Sequence, residues 1–143
     1  MTKRILAPIG ADEASEAVVP LVGALARETG ATVRLLRVYP VPERIVGTHG
    51  RTVAYVDQEM SRLTSEGQDE LARVETALWG VPVERVVRFG DPAEEILLEA
   101  ETFDADLIAL TTPRRSRVLT ALAPDVAERV AGKATVPALV LRG

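Results

Sequence analysis

Short apolar runs alternate along this chain with longer stretches in which apolar and polar positions follow a helical period. The short runs have the length of strands and are rich in Val, Ile and Leu. Their nearly continuous apolar character is typical of strands buried on both faces, as in a parallel sheet that helices cover. The predicted strands are residues 4–9, 32–38, 82–88, 105–111 and 136–142.

The first stretch between strands predicts a helix over residues 13–29. Gly30 follows this helix and suits the left-handed conformation of a C-terminal cap. Pro20 lies inside the stretch and lacks an N–H, so we expect a kink there. The apolar stripe that faces the sheet should consist of Ala17, Leu21, Ala24 and Leu25.

The longest amphipathic stretch predicts a helix over residues 53–79 that Gly80 stops. Residues 39–52, which precede it, contain two prolines and two glycines. They indicate a long loop at the edge formed by the carboxyl ends of the strands. The apolar stripe of this helix should consist of Val56, Met60, Leu63, Leu71, Val74 and Leu78.

The sequence around Asp91 carries the clearest local signal of a helix start. Asp91 can cap the free N–H groups, Pro92 suits the first turn, and Glu94 completes a capping box. Strands alternating with helices predict an α/β fold, a five-stranded parallel sheet with helices on both faces. In such a Rossmann-like sheet, ligands bind beyond the carboxyl ends of the strands, where the strand order reverses.

Composition narrows the class of protein. The 143 residues contain no repeat or linker and fit a single domain, residues 1–143. The absence of cysteine excludes disulfides and thiolate chemistry. A net charge of -4 and only five aromatic residues argue against binding nucleic acid. No apolar run suits a membrane span or a signal peptide, so we expect a cytoplasmic protein without a membrane partner.

Residues suited to catalysis are few. His49 is the only histidine, which leaves no Ser-His-Asp triad and no histidine-based metal site to build. Asp104 and Asp106 precede the fourth predicted strand at its amino end, where we expect them to serve a turn. The sequence therefore predicts no catalytic residue and no metal site, and it does not favour an enzyme.

The loop after the fourth predicted strand is the candidate phosphate site, because a strand, a loop and a helix start are the usual geometry for binding phosphate. Residues 111–123 contain no glycine, however. Arg114, Arg115 and Arg117 leave two interpretations open: they bind a phosphate through their guanidinium groups, or they pair with nearby carboxylates and solvate the loop. Thr111 and Thr112 likewise either bind a ligand or bond to backbone.

Several segments in one order along the whole chain resemble the universal stress protein family. The family implies a five-stranded parallel α/β fold of the adenine-nucleotide α-hydrolase-like class, usually a homodimer. Its members include some that bind ATP and others that do not. The segments that carry the resemblance are "ILAPI", "ADEAS", "GDPAEEIL", "DLIALTT", "VAERV" and "VPALVLR".

The resemblance also locates a nucleotide site in which the expected residues are replaced. The ATP-binding members have an aspartate in the turn after strand 1, where this chain has Gly10. Their later motif has three glycines followed by Ser or Thr, and this chain has Thr111, Arg114, Pro124 and Asp125 at those positions. Further positional counterparts of the nucleotide site are Pro8, Ile9, Val38, Thr112 and Arg115.

These replacements disfavour the binding of an anion such as phosphate. Pro124 donates no N–H, and the carboxylates of Asp125 and Asp12 are each positioned to occupy a helix N-terminus themselves. Two unit charges about 4 Å apart repel by about 4 kcal/mol at an effective dielectric of 20. We therefore expect a stress-response interaction module without cofactor, acting through protein partners. The alternative is a member that binds ATP, or hydrolyses it weakly, through Arg114 and Arg115.

The C-terminal strand is expected at the edge of the sheet, where its unpaired N–H and C=O groups invite a second strand. Pro137 lies near its start, where the missing N–H is tolerated, and the following residues carry no charge until Arg142. We therefore expect a two-fold homodimer through antiparallel pairing of this strand. The predicted interface consists of Val136, Pro137, Ala138, Leu139, Val140 and Leu141.

Overall fold

The computed structural model describes residues 2–42, 51–112 and 126–142. Its strands are β1 (Arg4–Pro8), β2 (Thr32–Tyr39), β3 (Val83–Phe89), β4 (Leu107–Thr112) and β5 (Ala138–Arg142). They form one sheet in the order β3-β2-β1-β4-β5, and every neighbouring pair is parallel. The predicted parallel α/β fold is confirmed, and the strand order reverses between β1 and β4, with β3 and β5 at the edges.

Helices cover both faces of the sheet. Alternate residues of the central strands point to opposite sides, so Ile5 and Val33 pack on one face while Leu6 and Leu36 pack on the other. The first face is covered by a 3-10 helix (Glu13–Val18), α1 (Val19–Thr29) and α2 (Arg51–Glu75), and the second by α3 (Pro92–Phe103) and α4 (Val126–Lys133). No helix in the described ranges is long and apolar enough to cross a membrane.

The first helical stretch differs from the prediction of one helix with a kink at Pro20. A 3-10 helix comes first, and Pro20 lies in the first turn of α1. Proline is tolerated in a first turn because its missing N–H would have no partner there, so the residue starts α1 instead of bending it. The predicted stripe is wrong as well, since Ala17 and Leu21 are exposed. The buried residues of this stretch are Val18, Val19, Val22, Gly23 and Ala26.

The ends of α1 and α2 show two uses of glycine. Gly30 caps α1 with φ 77°, as predicted, and its N–H donates to the Ala26 carbonyl at 2.8 Å. The helix α2 ends at Glu75, earlier than predicted, and a tight turn leads to Gly80, which also has φ 77°. The predicted stripe of α2 divides into the fully buried Leu71, Val74 and Leu78 and the half-buried Val56, Met60 and Leu63.

Two aspartates organise the start of α3, as predicted, and the amino end of β4, where the sequence predicted only a turn. The Asp91 carboxylate accepts a hydrogen bond of 3.0 Å from the Glu94 N–H and caps α3. The Asp106 carboxylate accepts bonds from the N–H groups of Lys3 at 2.8 Å and Arg4 at 2.9 Å, which ties the amino ends of β4 and β1 together. These backbone bonds hold the pKa of Asp106 below its usual value.

Candidate functional site

The carboxyl ends of β1 and β4 meet where the strand order reverses, and the 3-10 helix lies across both. Ser15 of this helix bonds to Gly10 after β1, and its last residue, Val18, bonds to Thr111 near the end of β4. Among the described residues, a short helix therefore lies over the part of the sheet edge where ligands bind in this class of fold.

The Ser15 side chain provides hydrogen bonds for the backbone of the turn after β1. Its hydroxyl accepts a hydrogen bond of 2.9 Å from the Gly10 N–H and lies 2.6 Å from the carbonyl oxygen of Asp12, to which it donates. The side chain of Asp12 makes no capping hydrogen bond, so the expectation that its carboxylate occupies this helix start is wrong. The serine hydroxyl, a donor and an acceptor at once, instead joins Gly10, which lies before the helix, to the Asp12 carbonyl.

Thr111 connects β4 to the same helix. Its hydroxyl oxygen accepts a hydrogen bond of 3.2 Å from the N–H of Val18, a residue that is fully buried. The threonine thus bonds to backbone, one of the two roles left open by the sequence, although its partner lies 93 positions away. Thr112 is buried as the last residue of β4.

The remaining predicted site residues lie either at the ends of β1 and β2 or outside the described part of the chain. The N–H of Ile9 donates to the Leu36 carbonyl at 2.8 Å, and Pro8, which has no N–H, pairs with Leu36 in the ladder between β1 and β2. Val38 is half-buried near the end of β2. His49, Arg114, Arg115, Arg117, Pro124 and Asp125 lie outside the described residues.

A bidentate ion pair links α3 to α4 beside this edge. The Arg129 guanidinium donates to the two carboxylate oxygens of Asp91, at 2.9 and 3.3 Å. This contact, followed by the Glu94 N–H, holds the pKa of Asp91 below its usual value. Asp91 therefore caps one helix and anchors the next, a second role that its sequence position did not reveal.

A buried arginine lies under α2 at the carboxyl end of β2. Arg37 donates to the Glu70 carboxylate at 3.4 Å, and its guanidinium carbon lies 4.3 Å from the centre of the Tyr39 ring. Burial raises the pKa of the Tyr39 hydroxyl, which has no hydrogen-bond partner among the described residues. The signal available in the sequence was a charge at position 37, between the apolar residues Leu36 and Val38 of the strand.

The chain is similar to known proteins in family and in sequence. A family model described as the universal stress protein family matches residues 1–142. A universal stress protein of Methanocaldococcus jannaschii is 38% identical over 82 residues, which make up 56% of this chain and 48% of that protein. The chain therefore matches about half the length of that curated relative.

Solved structures give the same result for the fold. The hypothetical protein MJ0577 superposes with a TM-score of 0.80 at 26% identity, covering 100% of this chain and 97% of that one. The protein UspA from Lactobacillus plantarum superposes with a TM-score of 0.70 at 17% identity, covering 99% and 98%. A universal stress protein from Archaeoglobus fulgidus in complex with dAMP has a TM-score of 0.58 at 18% identity, covering 98% and 97%. The chain belongs to the universal stress protein family.

Proposed function

We propose that this chain is a cytoplasmic homodimer of the universal stress type that does not bind ATP and acts as an interaction module for other proteins. One observation carries the proposal. The N–H groups of Gly10 and Val18, at the edge where ligands bind in this class of fold, are already bonded to Ser15 and Thr111. A phosphate arriving there would have to displace bonds within the protein.

The residues in the glycine positions of the family's motif support the same conclusion. Glycine allows the positive φ and the close backbone approach that a phosphate loop requires. Thr111 stands at the first of these positions, and Pro124 at the third removes an N–H outright. Asp125 then adds a negative charge where an anion would bind.

Titration calorimetry with ATP and Mg²⁺ tests the absence of binding. We expect no saturable heat from the purified chain, and no nucleotide in mass spectra of protein purified without additions. The matched variant restores the motif with Thr111→Gly, Arg114→Gly, Pro124→Gly and Asp125→Ser, and it should gain binding if composition is what excludes ATP.

A dissociation constant below roughly 10 μM for the unmodified chain would overturn the proposal. The alternative is a nucleotide site built on the arginines. A protein of the same fold from A. fulgidus forms a complex with dAMP. In that case Arg114→Ala with Arg115→Ala would abolish the binding. Binding that survives this double change would refute both the proposal and the arginine-based site.

The outer edge of β5, which pairs with no strand among the described residues, supports the homodimer. The N–H of Ile108 in β4 donates to the Pro137 carbonyl at 3.0 Å, which sets the alternation of the strand. Leu139 and Leu141 therefore direct their backbone groups at β4, while Ala138 and Val140 direct theirs outward. Val136 and Leu141 already pack against the core of their own chain, and Val140 is still 40% exposed.

A two-fold axis through the centre of β5 satisfies the outward groups. Val140 is the middle residue of Ala138–Arg142, so antiparallel pairing about it joins the strand over its full length. In this register Val140 lies directly opposite Val140 of the second copy, and Ala138 lies opposite Arg142. Residues directly opposite in antiparallel pairs interact strongly, and like charges there are destabilising.

Sedimentation velocity at micromolar concentration tests the dimer. The unmodified chain should sediment as a dimer, whereas Val140→Lys and Val140→Glu should each sediment as monomers. A mixture of the two variants should regain the dimer, because opposite charges then face each other across the axis. Leu98→Lys, at an exposed position on α3, is the control and should remain dimeric. A monomeric parent, or a dimeric Val140→Lys chain, would refute this interface.

A further inference from the structure

The second edge of the sheet, on β3, also has outward backbone groups. The N–H of Val33 in β2 donates to the Pro82 carbonyl at 2.9 Å. At the other end, the N–H of Gly90 donates to the Tyr39 carbonyl at 2.9 Å. The even-numbered residues of β3 therefore face β2, and the odd-numbered ones face outward, with Arg85 among them.

Side chains of α2 cover this outward face at Arg85. The Gln68 amide donates to the Arg85 carbonyl oxygen at 3.3 Å, and its own oxygen accepts from Arg85 Nε at 3.3 Å. The Arg85 guanidinium also donates to the Glu75 carboxylate at 2.9 Å, which holds it along the edge. A neighbouring strand would need the acceptor that Gln68 already occupies.

The β5 edge differs in each of these respects. In the described part of the chain, no side-chain hydrogen bond reaches the outward backbone of Ala138 or Val140. The side chains of Ala138 and Val140 are small or apolar, Val140 is among the exposed large apolar residues, and the only charge of the strand is Arg142 at its end. Proteins protect an edge from strand addition with charged side chains or with covering elements, and β3 has both.

We infer that Gln68, Arg85 and Glu75 form an edge guard that closes β3 to strand addition by a second copy of this chain. The direction of assembly toward β5 rests on the proposed dimer, but the closed edge itself does not. With both edges open, two different two-fold contacts would alternate from copy to copy without closing, and the sheet would extend indefinitely. With β3 guarded, assembly stops at two copies.

The test removes the edge guard in two backgrounds and measures mass by sedimentation velocity and light scattering. Gln68→Ala with Arg85→Thr deletes both side chains at the edge and leaves a residue that strands favour. In the otherwise unmodified chain we expect species of at least twice the dimer mass, increasing with concentration. In the Val140→Lys background we expect monomers to become dimers through β3.

The control is Thr64→Ala with Arg62→Thr, which truncates two exposed side chains whose hydrogen bonds to Met60 and Glu59 stay within α2. It should leave the mass unchanged in both backgrounds, and thermal melts by circular dichroism should show every variant folded. Masses that are identical with and without the edge guard would overturn the inference, as would larger species in the control. Association of the guardless Val140→Lys chain beside a monomeric parent would support the guard and refute the β5 dimer.

Discussion

The Arg88 guanidinium of β3 donates a hydrogen bond of 2.7 Å to the carboxylate of Glu99, a side chain of α3 that is only 3% exposed. The second carboxylate oxygen of Glu99 accepts from Arg34 of β2. Each arginine has a further acidic partner, Glu95 for Arg88 and Glu84 for Arg34. A carboxylate buried with two such donors fixes α3 across two strands.

Replacing Glu99 should cost more stability than any other single loss of charge in this network. Glu99→Ala leaves two arginines without their shared partner, and removing one member of a buried ion pair costs about 3 kcal/mol of unfolding free energy. Urea unfolding followed through Trp79 fluorescence measures the loss, since Trp79 is the only tryptophan of the chain. Glu101→Ala, at an exposed position of α3, should change the stability by less than about 0.5 kcal/mol. Equal effects of the two variants would refute the role of Glu99.

Replacing two helical glycines with alanine should change the melting temperature in opposite directions. A Cβ at Gly67 would lie 2.9 Å from Val87 Cγ2 and 3.0 Å from Tyr39 Cε2, both on strands beneath α2. Overpacking costs roughly 1–3 kcal/mol, which exceeds the helix propensity gained, about 1 kcal/mol. We expect Gly67→Ala to lower the melting temperature.

The matched variant is Gly132→Ala in α4, where an added Cβ meets nothing within 4 Å. It should raise the melting temperature, because the helix propensity is gained without a clash. A calorimetric scan of the two variants beside the parent measures both signs. Stabilisation by Gly67→Ala would show that α2 can move away from β3, against the packing described above.

Thr111→Val separates a structural role at the candidate site from a ligand-binding one. The change keeps the shape but removes the acceptor for the Val18 N–H, leaving a buried donor unsatisfied. We expect a loss of about 1–3 kcal/mol in unfolding free energy from denaturant titration. Thr64→Val, on the exposed side of α2, should be nearly neutral. A stable Thr111→Val variant would return the hydroxyl to the list of ligand candidates.

The pH dependence of stability should include a contribution from Asp91. Its folded pKa lies below the unfolded value, first because of Arg129 and then because of the Glu94 N–H. The carboxylate therefore stabilises the fold above the unfolded pKa, and this stabilisation is lost as the pH falls through the folded pKa. Melting temperatures from about pH 6 to about pH 3 should fall less steeply for Asp91→Asn than for the parent. Arg129→Gln should flatten the curve in the same direction, and an unchanged slope in both variants would contradict the assignment.

Local patterns predicted the elements of this fold because their causes are local. The strands follow from runs of branched apolar residues, and the start of α3 follows from Asp91, Pro92 and Glu94 acting within one turn. The error at Pro20 arose because proline suits a first turn as well as it breaks a helix interior, and the apolar pattern did not distinguish the two.

The site and the charge network depend on contacts between distant positions. Arg34 and Glu99 are 65 positions apart, and only the sheet register and the packing of α3 bring them together. A charge at a core position was the available signal, since Glu99 lies three residues after the buried Ile96. For the bond from Val18 to Thr111, the sequence singled out the threonine hydroxyl but gave no signal for its partner, which lies 93 positions away.

The hydroxyl of Ser15 acts as a tethered competitor for the turn after β1. Because it belongs to the same chain, its concentration beside the Gly10 N–H is fixed and cannot be diluted. If this hydrogen bond contributes about 1 kcal/mol, it weakens the binding of any other acceptor to the Gly10 N–H roughly fivefold, at every protein concentration. Competition for the Gly10 N–H is thus an equilibrium property of one serine, set when the chain folds.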